Sequence, residues 1–266
     1  MNATGDGVCV VLGVPGGTID ASTVESWARM LGGLARPWEL IVVGSKSQPV
    51  TSDSIRWLEL PAGMEYGTGL VLRLGLAASR SPLVVFADTA YPYTPADLPS
   101  MLERIEAFTD MPDPKSGEWI PRRPDLVAGC RTGVPVPQPL RFVGGCIRTF
   151  ARWILGLPLQ PLPGWYGFGE HVRAWRAWIE YGNPLNDPHA AFKLFRRSFL
   201  ERFPIQSDGD FVHIELVGKA TFLTCVMDEK ALSPKPDRFV PVRWAKKDRA
   251  ELNRRPKFWK APVGTL

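Results

Sequence analysis

One carboxylate stands at the end of a strongly apolar run. Residues 83–87 (LVVFA) lead directly into Asp88, and the loop after it carries two tyrosines and two prolines. A carboxylate at the carboxyl end of a buried strand can bind a divalent cation. The residue two positions later is Ala90, where a second acid would complete the pair. Asp88 is therefore either a metal ligand without its partner or an acid that caps the turn after the strand.

An arginine and two glycine-rich loops offer a second kind of chemistry. Arg131 follows the run 126–130, and its guanidinium group either binds a phosphate through two parallel hydrogen bonds or lies on the surface of a proline-rich loop. The segments 13–17 (GVPGG) and 66–69 (YGTG) have neither the Lys-Ser/Thr of a Walker loop nor the GxGxxG spacing of a dinucleotide site. The sequence thus argues against a P-loop NTPase and a Rossmann dehydrogenase.

The elements that must position these residues alternate between strand and helix over the first 130 residues. Such alternation, with uninterrupted apolar strands, predicts a parallel sheet covered by helices on both faces. The predicted strands are 8–12, 39–43, 55–60, 83–87 and 125–130, and the predicted helices are 23–34, 69–79 and 97–108. Ligands of such sheets bind beyond the carboxyl ends of the strands. The residues expected along that rim are Pro15, Gly16, Gly44, Ser45, Asp88 and Arg131.

The second half of the chain follows a different pattern. After an extended proline-rich loop, helices are predicted over 142–157, 170–181 and 211–220, and a last strand over 221–227. The segment 187–203 is predicted to end in another helix. In a helix over 192–199, the cations Lys193, Arg196 and Arg197 would share one face, as an anion site or as a solvated surface.

The predicted helix 170–181 is rich in tryptophan. Its apolar residues form one stripe, which includes Trp178 and Ile179 and lies beside arginines. Such a stripe either packs into the core or forms an exposed edge that contacts lipid at a membrane surface.

Composition and charge limit the class of protein. The chain of 266 residues is 45% hydrophobic and 22% charged, which predicts a globular protein with a sizeable core. Its four cysteines form no CxxC pair, and no signal peptide or membrane span is apparent, so we expect a cytoplasmic protein with reduced thiols.

The positive charge is concentrated near the end of the chain. Residues 235–260 hold ten Lys/Arg against three Asp/Glu, together with aromatic residues, whereas the rest of the chain has a balance of −2. Basic residues interleaved with aromatics indicate either a peripheral contact with an anionic membrane or nucleic acid, or a tail wrapped onto the domain. We expect a domain over 1–234 and a basic aromatic tail over 235–266.

The order of several motifs resembles the family-two glycosyltransferases of the GT-A fold, and most closely the dolichol-phosphate mannosyltransferase group. Residues 66–98 resemble the family's glycine-containing helix, its Asp-x-Asp strand and the proline-rich turn after it. DLVAGCR (125–131) resembles the strand that ends in Gly-Ser-Arg. NDPHAAFKLFRRSFLERFP (186–204) and GDFVHIELVGKATFLTCVMDE (209–229) resemble the two later motifs, so the similarity covers most of residues 7–228.

Several family residues are replaced. Val14-Pro15-Gly16-Gly17 stands where the family has Pro-x-x-Asn-Glu, and Val43-Gly44-Ser45 stands where it has Val-Asp-Asp-Gly-Ser. Asp-x-Asp has become Asp88-Thr89-Ala90, and the glycine before Phe192 has become Ala191. Residues 160–184 resemble an insertion. The acids that would contact the nucleotide base and the metal are thus reduced to Asp88.

The resemblance implies a site for a nucleotide-sugar donor and an acceptor. Its implied catalytic residues are Asp88, Arg131, Asp187 and Lys193. Its implied donor-binding residues are Pro15, Gly16, Gly44, Ser45, Tyr66, Gly67 and Asp88, and its phosphate or acceptor-binding residues are Arg131, Lys193 and Arg196. Mg²⁺ or Mn²⁺ would bind Asp88, with an affinity weakened by Ala90.

The expected fold is GT-A-like α/β, a mostly parallel sheet flanked by helices. The expected function is that of a hexosyltransferase, inverting by family analogy, that moves a sugar to a polyprenyl phosphate or another membrane-proximal acceptor. The expected place is the cytoplasm, peripheral on the inner face of the membrane, and nucleic acid is not an expected partner. The alternative is a catalytically silent GT-A relative that binds a nucleotide or a partner. A nucleotidyltransferase is a third hypothesis, but it would require Arg and Lys after the first strand, and residues 16–20 contain neither.

Overall fold

Part of the chain is described by the computed structural model. The described residues are 7–15, 19–44, 52–61, 63–91, 93–112, 116–131, 146, 176–183, 185, 187–232 and 246–258.

The described strands form a seven-stranded sheet and a separate hairpin. The sheet strands are β1 (Val8–Val14), β2 (Trp38–Gly44), β3 (Ile55–Glu59), β4 (Leu83–Asp88), β7 (Leu126–Arg131), β8 (Phe192–Arg196) and β9 (Met227–Leu232). The hairpin consists of β5 (Thr109–Pro112) and β6 (Trp119–Arg122). The order across the sheet is β3-β2-β1-β4-β8-β7-β9. β1, β2 and β4 are buried over most or all of their length, as expected for apolar strands covered on both faces.

One described strand runs against the others. β8 pairs antiparallel with both β4 and β7, whereas the remaining sheet pairs are parallel. Phe192 lies opposite Ala87 and Arg196 lies opposite Leu83. The beginning of β8 therefore lies at the same edge of the sheet as the carboxyl ends of the parallel strands, which we call the carboxyl edge. The end of β8 lies at the other edge, the amino edge.

Helices cover both faces of the sheet. They are α1 (Ala21–Gly32), α2 (Thr68–Ala78), α3 (Leu98–Glu106), α4 (described over 176–181), α5 (Arg197–Leu200), α6 (Val212–Phe222) and α7 (Lys246–Arg254). On one face, α1 contacts β2 and α3 contacts β7, β8 and β9, and Trp27 and Met101 belong to the apolar cluster on this face. On the other face, α2 and α6 pack onto residues of β1 and β4 such as Val11 and Phe86. The two cores follow from the two-residue side-chain period of the strands.

The structure confirms the sequence predictions for the first half of the chain. Each predicted strand and helix up to residue 130 is present, with ends that differ by at most two residues. The helix predicted over 211–220 is also confirmed, as α6. The fold class predicted from the alternation, a mostly parallel α/β sheet flanked by helices, is correct.

Two expectations in the second half are wrong, and one is confirmed in part. The segment 187–203 contains a helix, α5, but a helix over the whole of 192–199 is wrong because residues 192–196 form strand β8, which is inserted between β4 and β7 and completes the sheet. The last strand begins at Met227 rather than at Thr221, since α6 continues to Phe222. The predicted helix 142–157 lies outside the described residues except for Cys146.

The tryptophan-rich helix packs differently from the predicted stripe. Ala177 and Tyr181 are buried against α6 and α7, whereas Trp178 and Ile179 are 41% and 58% exposed. The core alternative is therefore wrong for Trp178 and Ile179. The rest of the stripe, and most of the predicted insertion 160–184, lie outside the described residues.

Helix α7 belongs to the basic tail and packs on the domain. Leu252 is buried in a small apolar cluster with Phe211 and Ile214. Arg249 donates a hydrogen bond to Glu180 at 3.1 Å, and the Tyr181 hydroxyl group donates to Asn253 at 2.7 Å. These contacts agree with the alternative in which the tail is wrapped onto the domain. Within the described residues, no helix has the length and apolar character needed to cross a membrane.

Candidate functional site at the carboxyl edge

Asp88 ends β4 at the carboxyl edge and is fixed by its neighbours. It lies opposite Gly13 of β1, and the next residue, Thr89, donates hydrogen bonds to the Gly13 carbonyl oxygen from its backbone N–H at 2.9 Å and from its hydroxyl group at 3.0 Å. The Ala90 N–H donates to Oδ1 of Asp88 at 2.8 Å. Oδ1 of Asp88 therefore caps the turn after the strand, as the turn-capping alternative expected.

The other oxygen of Asp88 accepts a hydrogen bond from a tyrosine. The Tyr66 hydroxyl group, on the loop before α2, donates to Oδ2 at 2.6 Å. It lies directly above Gly13, where the Cβ atom of any other residue would collide with it. Gly13 is therefore required for the close approach of Tyr66 to Asp88.

Burial controls the ionisation of this pair. Asp88 is 3% exposed, and loss of hydration raises the pKa of its carboxyl group from the ordinary 3.8 to about 6. The hydrogen bonds from Tyr66 and Ala90 lower this pKa, and repulsion from Asp210 raises it. Burial also raises the pKa of Tyr66 far above its ordinary value, and the charge of Asp88 adds to that effect. The tyrosine therefore stays protonated, and its hydroxyl group donates a hydrogen bond to Asp88.

The start of α2 is held against the turn at residues 207–210. The N–H groups of Gly69 and Leu70 donate to the Asp208 carbonyl oxygen at 2.8 and 3.1 Å, and the Thr68 hydroxyl group donates to Asp210. Cβ atoms at Gly67 or Gly69 would collide with the backbone of this turn. The predicted donor residue Gly67 thus has a packing role in the structure, and the contact brings Asp210 towards Asp88.

A second segment crosses the carboxyl edge just before β8. The Asp187 N–H donates to Oε1 of Glu229 in β9 at 2.8 Å. The buried ammonium group of Lys193 donates to the carbonyl oxygens of Pro188, at 2.9 Å, and Ala190. The Ala191 N–H donates to the Tyr93 hydroxyl oxygen at 2.9 Å. These bonds fix the backbone of residues 187–191 beside the end of β4.

Register explains how Lys193 and Glu229 act on the same segment. Lys193 lies opposite both Phe86 and Ala128, and Ala128 lies opposite Glu229. Residues in register on neighbouring strands point to the same face of a sheet, so these side chains share the face that carries Asp88, two residues after Phe86. The small side chain of Ala128 separates the cation from the acid.

The structure brings together some of the predicted site residues and separates others. Asp88, Tyr66, Asp187 and Lys193 all lie at the carboxyl edge. Arg131 ends β7 at this edge, and Pro15 and Gly44 lie at the ends of β1 and β2. Gly16 and Ser45 lie outside the described residues.

Arg196 does not join this site. Its guanidinium group donates to the carbonyl oxygens of Pro124, at 2.9 Å, and Ile105, at 2.7 Å, at the amino edge. Arg197 lies at the same edge and donates to Ser81 at 3.0 Å. Their predicted common face with Lys193 is wrong because β8 is extended and antiparallel, which carries its last residues away from Asp88.

Sequence reasoning missed three residues of the site. Glu229 and Asp210 lie within a motif that the resemblance covers, but neither stood out, since the strand 227–232 was predicted too early and a lone acid in a turn is common. Tyr93 was noted only as a loop tyrosine. The two-residue alternation of β9, once its start is known, would place Glu229 on the face of Lys193.

The donor set at Asp88 does not fit a divalent cation. Both carboxylate oxygens already accept hydrogen bonds from protein donors, and the side chain is buried. Among the residues that the structure describes, no group of three His, Cys, Asp or Glu side chains could hold a metal ion. Sites for Mg²⁺ in proteins usually supply one or two carboxylates and keep several water ligands, whereas Asp88 is a single buried carboxylate. We therefore assign no chemical step to a metal.

Comparison with known proteins identifies the fold. No protein-family model and no curated protein matches the sequence. The glucosyl-3-phosphoglycerate synthase of Mycobacterium tuberculosis in complex with phosphoglyceric acid is similar with a TM-score of 0.52 and 20% identity, over 89% of this chain and 74% of that chain. The complex of that enzyme with Mg²⁺ and uridine-diphosphate gives 0.51 and 18%, over 89% and 73%. A further mycobacterial protein gives 0.51 and 18%, over 89% and 69%. The chain has the GT-A-like fold of the glucosyl-3-phosphoglycerate synthase.

Proposed function

We propose that this protein is a glycosyltransferase that moves a sugar from a nucleotide-sugar donor to an acceptor bearing a phosphate group. The observation that carries the proposal is the meeting of Asp88 at the end of β4 with the fixed segment 187–191 at the carboxyl edge of a GT-A-like sheet. Ligands of open α/β sheets bind at this edge. The glucosyl-3-phosphoglycerate synthase, solved in complex with phosphoglyceric acid and with uridine-diphosphate, supports the proposal at the level of fold.

The proposed reaction is one displacement at the anomeric carbon of the sugar. An acceptor oxygen forms a bond to this carbon while the bond to the diphosphate oxygen breaks, and its electron pair leaves with the nucleoside diphosphate. A phosphate acceptor, with a second pKa of about 6, attacks without losing a proton at neutral pH. Attack from the face opposite the leaving group would invert the configuration, as the family resemblance implies.

Each site residue has a proposed role in this step. Asp88 would accept a hydrogen bond from a sugar hydroxyl group, and Arg131 would pair with a phosphate. Asp187 would contact the acceptor and, for a hydroxyl acceptor, take its proton. Lys193 is better suited to position Asp187 than to bind phosphate, because its ammonium group is buried and donates to two carbonyl oxygens.

Two kinds of acceptor carry the phosphate group that the proposal requires. A polyprenyl phosphate at an anionic membrane is the finer proposal from the family resemblance, and a small phosphorylated acid is the soluble counterpart. Incubation with UDP-glucose or GDP-mannose and either polyprenyl phosphate or 3-phosphoglycerate, with release of the nucleoside diphosphate as the measurement, distinguishes them. With 3-phosphoglycerate, whose hydroxyl group would be the nucleophile, we expect Asp187→Asn to lower kcat at least about 100-fold, because Asp187 would then act as a general base.

The exposed acid Asp53 supplies the matched control. Asp53→Asn, at the amino end of β3, should leave nucleotide release unchanged. With 3-phosphoglycerate as the acceptor, equal rates in the Asp187 and Asp53 variants would remove Asp187 as the general base.

Membrane contact by the tail is testable without removing the tail. Lys246 and Lys247 are exposed on α7, whereas Leu252 is buried, so deletion of 235–266 would also damage packing. If the tail contacts an anionic surface, wild-type protein should float with phosphatidylglycerol vesicles, and Lys246→Glu with Lys247→Glu should reduce flotation. Equal flotation of both proteins would remove these lysines from the proposed contact.

A second function is favoured by the state of Asp88. A carboxylate that is buried and hydrogen-bonded at both oxygens also suits a catalytically silent relative that binds a nucleotide or a partner. Thermal stabilisation by a panel of nucleotides separates the alternatives when it is combined with the turnover assay. Nucleotide binding without turnover of any donor would favour the silent relative.

A further inference from the structure

We infer that the Tyr66 hydroxyl group occupies the position on Asp88 that a divalent cation would take, so that this donor site works without such a cation. The consequence for nucleotide binding rests on the proposed function. The occupancy of Asp88 itself does not, because it can be tested with a metal ion alone.

The carboxylate presents its oxygens to hydrogen atoms rather than to open space. Tyr66 donates to Oδ2 at 2.6 Å, and the Ala90 N–H donates to Oδ1 at 2.8 Å. A cation that replaced Tyr66 would have to displace a charge-assisted hydrogen bond. The phenolic hydrogen thus supplies positive partial charge where a cation would otherwise supply a full charge.

The position of Tyr66 is built by two separate parts of the fold. Its hydroxyl group fills the space above Gly13 that a Cβ atom would take, and its ring packs on the core between the sheet and α2. Immediately after Tyr66, the start of α2 is held by the Asp208 carbonyl oxygen and by Asp210. Because the ring is packed in the core and the helix that follows it is anchored, movement of Tyr66 away from Asp88 requires this packing to open.

The second coordination position is also missing. Ala90 offers no carboxylate, and the affinity of such sites for divalent cations increases with the number of charged ligands. Tyr66 and Ala90 therefore both weaken metal binding. The Tyr66 hydroxyl group is hydrogen-bonded to Asp88, and Ala90 provides no second carboxylate. This predicts that restoring the second acid alone will not restore the metal site.

Four proteins test the inference: wild type, Tyr66→Phe, Ala90→Asp and the double variant. Mn²⁺ is titrated at pH 7.5 and free Mn²⁺ is followed by electron paramagnetic resonance, with circular dichroism to confirm folding. We expect wild type, Tyr66→Phe and Ala90→Asp to bind weakly, and the double variant to bind at least about tenfold more tightly than Ala90→Asp, since it has two carboxylates and no blocking hydroxyl group.

Tyr93→Phe combined with Ala90→Asp is the matched control. Tyr93 lies at the same edge, but its hydroxyl group accepts a hydrogen bond from Ala191. This control should bind Mn²⁺ no better than Ala90→Asp. Tight Mn²⁺ binding by wild type, or equal binding by Ala90→Asp and the Tyr66 double variant, would overturn the inference.

Nucleotide binding is measured separately with UDP and GDP in EDTA and in Mn²⁺. We expect the dissociation constants of wild type to agree within about twofold, as they should when no cation bridges protein and phosphate. Binding only with Mn²⁺ would support the proposed function and overturn the inference. Absence of binding in both buffers would overturn the proposed function, whereas the metal titrations still decide the occupancy of Asp88.

Discussion

Asp88 keeps a carboxyl group in surroundings that disfavour its charge. It is buried at the end of β4, close enough to Asp210 for repulsion to matter, and its pKa is raised to about 6. Relative to the charged form, the neutral carboxyl group is therefore favoured more in the folded protein than in the unfolded chain, where its pKa is the ordinary 3.8. At neutral pH the buried carboxylate is charged, and this charge lowers the free energy of unfolding. A buried charge that lowers stability is typical of a binding site.

The pH dependence of stability should report this cost. With a folded-state pKa of about 6 above an unfolded value of 3.8, the folded state binds the proton more tightly, so Asp88 lowers stability as pH rises through this window. The amide side chain of the Asp88→Asn variant does not titrate. From pH 4 to pH 7.5, the unfolding free energy of Asp88→Asn should rise by about 2 kcal/mol relative to wild type, as measured by urea unfolding.

Asp53→Asn serves as the control for this measurement. Asp53 is exposed, and its substitution should change the difference from wild type by less than about 0.5 kcal/mol over the same pH range. A difference between Asp88→Asn and wild type that falls as pH rises would contradict the raised pKa.

The elements that build the site meet through backbone contacts. α2 begins against the turn 207–210, which is also bound by Glu215 of α6 through the N–H groups of Gln206 and Ser207, both at 2.7 Å. Glu215 forms a buried ion pair with Lys219 at 2.6 Å. The turn thus connects two helices that both border the site. Such close packing requires glycine at the start of α2.

Gly69→Ala tests the contact between α2 and this turn. The new Cβ atom would collide with the Ser207 carbonyl oxygen, so we expect a loss of about 1–3 kcal/mol in the free energy of unfolding. Gly32→Ala, in α1, is the control because a Cβ atom there meets nothing within 4 Å. It should be neutral or stabilising by up to about 1 kcal/mol. Equal effects of the two substitutions would rule out the close packing of α2.

Glu229 should order the segment before β8. Glu229→Leu removes the acceptor for the Asp187 N–H, so amide hydrogen exchange at Asp187 should accelerate about tenfold, equivalent to about 1.4 kcal/mol. Glu229→Gln retains an acceptor oxygen and should exchange close to the wild-type rate. Unchanged exchange in Glu229→Leu would mean that Glu229 does not hold this segment.

At the scale of the whole molecule, the basic tail contributes to the fold as well as to surface charge. α7 contacts α4 through Arg249 and Asn253, and contacts the turn 207–210 through Asp248, which accepts from the Gly209 N–H at 3.1 Å. Lys246, Lys247 and Arg249 of the tail therefore lie on a helix that borders an element of the site. Substitutions in its buried face should act on the stability of the domain.

Leu252→Ala is expected to destabilise the protein by about 2–5 kcal/mol, because Leu252 is buried with Phe211 and Ile214 of the domain. Thermal unfolding measures the effect. Glu251→Ala, an exposed neighbour in α7, should change stability by less than about 0.5 kcal/mol. A tail that is independent of the domain would show equal, small effects for both substitutions.

The sequence by itself determined the parallel half of the fold and the position of Asp88. Apolar runs and helical spacing are local signals, and parallel strands in chain order necessarily bring their carboxyl ends to one edge. Only the tertiary structure decided what surrounds Asp88. The antiparallel insertion of β8 keeps Lys193 at the site and takes Arg196 to the amino edge, a reversal that no local pattern encodes. Likewise, Tyr66 meets Asp88 only because Gly13 of a third segment leaves space for its hydroxyl group.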